Sequence, residues 1–205
     1  RGTDDVAAYL VLRGKSTAAQ AGALHDLMGE MLLEARLDDR AVFKQLVDES
    51  RAGAESRVQS GGHSVAAGRL DAMDNVAGYV NEQLGGLAQL DYLKKLAKRV
   101  ETDWDGVVAD METIRAAVVQ RAGSVTNLTA DAKTLESTAG AVETFLNSLP
   151  ATGVGAVTTP WPTTLLLPSQ NELITVPTQV NYVGKGANLY KAGYDLHGSA
   201  YVINK

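Results

Sequence analysis

"SGGHSVAAGRLDAMDNVAGYVNEQLGGLAQL", residues 60–90, is the stretch on which the reading of the fold turns. Between Gly61-Gly62 and Gly85-Gly86, the apolar residues Val65, Leu70, Met73, Val76, Ala77, Val80 and Leu84 recur at helical spacing. That pattern predicts one amphipathic helix over 64–84, ended on each side by a glycine pair. Gly68 and Gly78 lie inside it, each costing about 1 kcal/mol of helix propensity against alanine, so both predict close packing rather than solvent exposure. His63, directly after the glycines, is expected to help cap the helix.

Helical periodicity extends in both directions. Residues 17–36 carry Ala21, Leu24, Leu27, Met28, Met31 and Leu32 on one side, and a helix from Val42 to about Gln59 carries Phe43, Leu46 and Val47. Further helices are expected over 87–99, over 104–121 with Asp103 as cap, and over 130–149, closed by Pro150. Four stretches instead carry a β-branched, aromatic or alternating pattern: Val6 to Leu12, Ser124 to Thr129, Glu172 to Val176 and Gln179 to Gly184. These read as strands. Residues 151–169 hold Pro160, Pro162 and Pro168 and read as a linker, and 198–205 read as an element beginning. The expected fold class is therefore α+β, truncated at both ends. Its expected divisions are a partial first domain over 1–149, a linker over 150–169 and the opening strands of a second domain over 170–205.

The bulk composition excludes several classes of function. The 205 residues carry a net charge of −5, so no basic field advertises nucleic acid or an anionic membrane surface. Nothing approaches the roughly 18–20 apolar residues that span a bilayer, and a soluble chain is expected. Cysteine is absent, which removes disulfides, thiolate metal sites and a cysteine nucleophile.

The local motifs are incomplete. In "YLVLRGKST", residues 9–17, a phosphate loop would need glycine where Tyr9 stands, so Gly14-Lys15-Ser16 reads as the polar exit of a strand. His25, His63 and His197 are too far apart for either helical zinc motif, and Gly61-Gly62-His63-Ser64 lacks the second glycine of a nucleophile elbow. Asp38 with Asp39, and Asp71 with Asp74, read as helix-start and wet-face acids, and Arg51, Arg57 and Arg69 as solvation. The residues alone supply no catalytic set and no metal site.

Longer strings carry a resemblance. "EARLDD" (34–39), "VFKQLV" (42–47), "ESRVQSGGHSVAAGRLDAM" (55–73), "EQLGGLAQLDYL" (82–93), "NLTAD" (127–131) and above all "VPTQVNYVGKGANLYKAGYDLHGSAYVINK" (176–205) resemble the presequence-degrading proteases, organellar zinc metalloproteases of the pitrilysin type. The resemblance spans nearly the whole chain. It implies a helix-rich, metalloprotease-like domain with a mainly antiparallel sheet, taken from the C-terminal half of a protein several times longer.

In such a protein, zinc polarises the scissile carbonyl and activates water, and the H-x-x-E-H glutamate acts as base. That motif belongs to the N-terminal half and is not in this sequence. The segment is expected to be inactive alone and to form part of the wall of a peptide chamber. Zinc is expected in the full-length parent and not here, and the expected partners are unfolded peptides and the N-terminal half. The implied location is the mitochondrial matrix or the chloroplast stroma. Asn181, Tyr182 and Gly184, in the most distinctive string, are the candidate peptide-contacting residues. An alternative is a standalone peptide-binding or structural subunit without protease activity. A truncated sheet would also expose an edge through which two copies could dimerise.

Overall fold

The computed structural model describes residues 6–151, 165–177, 179–189, 191–195 and 197. They form a short 3₁₀ turn and seven helices: α1 (Ala21–Leu33), α2 (Arg40–Ser60), α3 (Gly62–Asp74), α4 (Val76–Gly85), α5 (Leu87–Thr102), α6 (Trp104–Val118) and α7 (Ala132–Ser148). No strand forms among them, which overturns the α+β expectation and its antiparallel sheet. The four stretches expected as strands lie outside regular structure, with no β-ladder between any two of them among the described residues. Their alternation predicts extended backbone buried on one side, but a sheet also needs a partner strand, and in 182–184 the side that is approached meets a helix instead. The expectation of a truncated sheet edge loses its basis with the sheet. The element expected over 198–205 and most of the linker fall outside the described residues.

The helix expected over 64–84 is two helices. Asn75 leaves the helical conformation at φ −152° and ψ 156°, and its Oδ1 accepts the Gly78 N–H at 2.7 Å, capping α4. Its Nδ2 donates to Asp71 Oδ1 at 2.6 Å, so the side chain also holds the end of α3. The break lets α3 and α4 fold against each other. At the crossing, a Cβ on Gly78 would stand 2.5 Å from the Asp71 carbonyl, which bears out the close-packing expectation there. Nothing lies within 4 Å of a Cβ on Gly68, so that glycine is not explained by packing. The expected Asp103 cap is present, its Oδ1 accepting from Gly106 N–H at 3.2 Å, and Asp39 and Asp131 begin α2 and α7 in the same way.

The chain divides into two compact units. The first comprises Arg1–Ala7, Leu46–Ala97 and Pro160–Lys205; its buried residues include Val47, Ala54, Ala72, Val76, Val80 and Leu90. The second comprises Ala8–Gln45 and Lys98–Thr159; it buries Val100, Val107, Val119 and Leu149 and packs α1 against α7. In this second unit the Phe43 and Trp104 rings lie 5.6 Å apart, as do those of His25 and Phe145.

Candidate functional site

The distinctive string of the sequence lies in the first unit, where the described residues of 165–195 form a strap over α3. The path follows from its contacts. Leu167 N–H donates to the Ala72 carbonyl at 2.9 Å, Glu172 meets Arg69, and Tyr182 reaches Gly62 at the start of the helix. The strap then returns: a Cβ on Gly184 would lie 3.2 Å from Leu70 and 3.3 Å from Ala66, and one on Gly186 3.3 Å from Leu70. Lys191 Nζ closes the circuit on the Asp74 carbonyl at 3.2 Å. Leu167 and Lys191 thereby supply donors to two carbonyls in the last turn of α3, which have no partner within the helix, and the lysine charge suits that end of the helix dipole.

Alternation divides the candidate residues. Tyr182, Gly184 and Gly186 face α3, and the Tyr182 ring also lies 6.0 Å from that of His63. A side chain on Gly62 would collide with the tyrosine ring, so that glycine is required by close approach. His63 therefore sits in the first turn of α3 as a packing partner of Tyr182 and not as a cap. Val183, on the opposite side, is 96 % exposed, and Asn181 is exposed too. Of the three candidates, Tyr182 and Gly184 come together on the helix and Asn181 does not join them.

The strongest polar feature of this surface is one that sequence reasoning missed. Arg69, on α3, donates from Nε and Nη2 to the two carboxylate oxygens of Glu172 at 2.8 and 2.6 Å, a forked pair. Its Nη1 donates to Glu82 Oε1, on α4, at 2.9 Å. The Glu82 side chain is 2 % exposed, and the same oxygen accepts the N–H groups of Leu87 and Ala88 at the start of α5. Gly86 passes so close that a Cβ would overlap the Glu82 carboxylate. Hydrogen bonds from Arg69 hold the Glu172 carboxyl below the ordinary glutamate range, against the effect of burial, and the two carboxylates hold the guanidinium more firmly protonated. Arg69 is thus a clasp and not a solvating charge. The signal available in the sequence was its position between Val65 and Ala72 on the inner face of α3, where a charge needs a partner.

The remaining candidates have structural roles. A Cβ on Gly14 would stand 2.6 Å from Leu24 and 2.7 Å from Met28, so the glycine of "GKS" allows the chain to lie against α1. Asp38 pairs with Arg36, Arg51 with Asp48, and Arg57 donates to Gln89. His25 is half-buried beside Phe145, with its Nδ1 buried and unpartnered. A zinc site needs three or four converging donors, and among the described residues no group of three His, Cys, Asp or Glu side chains could hold a metal. Also among the described residues, no helix is long and apolar enough to cross a membrane.

The strap and α3 coincide with two separate family matches. Residues 1–96, which include α3 and α4, match the family of domains described as associated with peptidases of the M16 class, subgroup C, and 171–205 match the family described as PreP C-terminal domain. The chain is similar, in two of its regions, to the C-terminal part of presequence-protease-type peptidases of this class. Over all 205 residues it is 45 % identical to Presequence protease 1, chloroplastic/mitochondrial, of Arabidopsis thaliana. It spans 19 % of that relative's length.

Proposed function

We propose that this chain is a non-catalytic part of a zinc metalloendopeptidase that degrades targeting presequences and other short unfolded peptides in mitochondria or chloroplasts. The observation that carries the proposal is identity along the whole chain to a presequence protease, joined to a described surface with no converging metal ligands. Zinc chemistry belongs, in this reading, to the N-terminal half of the full protein. The segment supplies wall and positioning instead. Its organisation is taken as a first domain over 1–149, a linker over 150–169 and the start of a second domain at 170.

Within the wall, Tyr182 and Gly184 seat the strap on α3 and Asn181 is the group offered to peptide. The exposure of Leu173 and Val183, at 92 % and 96 %, supports a surface that is covered by another part of the peptidase or by its substrate. The test is reconstitution: the remainder of a presequence-protease chain is expressed with and without this segment, and peptide hydrolysis is followed. Activity that needs both parts supports the proposal, and full activity of the remainder alone overturns it.

A further inference from the structure

We infer that Arg69 is a positioning residue that fastens the strap to α3, and that Glu172 is the releasable side of this clasp. From residue 171 on, the strap belongs to the region matched as PreP C-terminal domain, and α3 to the region matched as peptidase-associated, so the Arg69–Glu172 clasp joins the two. The inference rests on side-chain geometry and does not depend on the proposed peptidase role.

The two carboxylates of the clasp are held differently. Glu82 has Arg69 and two backbone N–H groups at the start of α5, so it keeps two donors if the arginine is lost. Glu172 receives both prongs of the guanidinium fork. Removing the Glu172 charge leaves Arg69 still bound to Glu82, and α3, α4 and α5 keep their contacts. Removing Arg69 instead takes the counter-charge from the Glu82 carboxylate, which is 2 % exposed and then has the backbone donors alone. The strap's other attachments include a backbone hydrogen bond at Leu167, the packing of Tyr182, Gly184 and Gly186, and the exposed Lys191. Set beside these, the fork is the charge-assisted, two-pronged contact. Releasing it frees the central part of the strap and leaves both ends anchored.

The experiment is hydrogen–deuterium exchange by mass spectrometry on the purified 205-residue chain and its E172Q, R69K and R69M variants at neutral pH. E172Q is expected to raise the exchange rate of peptides over 171–189 roughly tenfold, as loss of a charge-assisted pair implies, and to leave α3 to α5 within about twofold of the parent. R69K keeps the charge but not the fork, and is expected to open the strap to a similar degree. R69M is expected to raise exchange in both the strap and α4–α5. The inference is overturned if E172Q leaves 171–189 within twofold of the parent. It is equally overturned if E172Q raises α3–α5 as much as the strap, since Glu172 would then support the whole unit and not a clasp.

Discussion

At the scale of single residues, the glycines show how local geometry decides what the chain tolerates. Gly78 and Gly86 both stand where a Cβ would meet backbone or a buried carboxylate, whereas Gly68 has open space around it. G78A and G86A are therefore expected to destabilise the first unit by about 1–3 kcal/mol, the usual range for overpacking. G68A is expected to be neutral or to stabilise by up to about 1 kcal/mol through helix propensity. Urea titrations followed by far-ultraviolet circular dichroism measure all three. Glu172 gives a pH dependence of defined sign. Its carboxyl is depressed in the folded state, so its contribution is fully present above the ordinary glutamate value and is lost as pH falls through the lower folded value. Limited proteolysis of the strap is expected to be unchanged from neutral pH down to about 5 and to accelerate below about 4. In E172Q that acceleration should be much reduced.

At the scale of elements, Asn75 is where one periodic pattern becomes two helices. Asn75→Ala is expected to cost about 1–2 kcal/mol, because it removes a cap from α4 and a hydrogen bond from the end of α3 together. Thermal unfolding of the variant checks this. The helices were legible because 3.6-residue spacing is a local signal, and five of the seven were expected within a few residues of their bounds. The break at Asn75 was hidden because the apolar row runs through it from Met73 to Val76. The extended stretches were legible as extended, but not as lacking a β-ladder with one another. In 182–186 the period of two is real, yet the covered face meets Leu70 and Ala66 of a helix. Arg69 was legible as a charge on an inner face that needs a partner, but the partner itself was not. Its forked partner lies 103 residues away, and no local pattern connects them.

For the whole molecule, the sequence carried the class of protein through long strings and not through any motif of catalysis. Three of those strings, 42–47, 55–73 and 82–93, lie on α2 to α5, and the described part of 176–205 lies on the strap, while the described residues bring together no metal ligands. The central claim is that this segment takes part in a peptidase without performing its chemistry. The most direct measurement is hydrolysis of a quenched fluorescent peptide by the purified chain with added zinc, beside a chelator-treated control. The account predicts no turnover above the control. Chelator-sensitive turnover that follows the 205-residue chain through successive purification steps would contradict it.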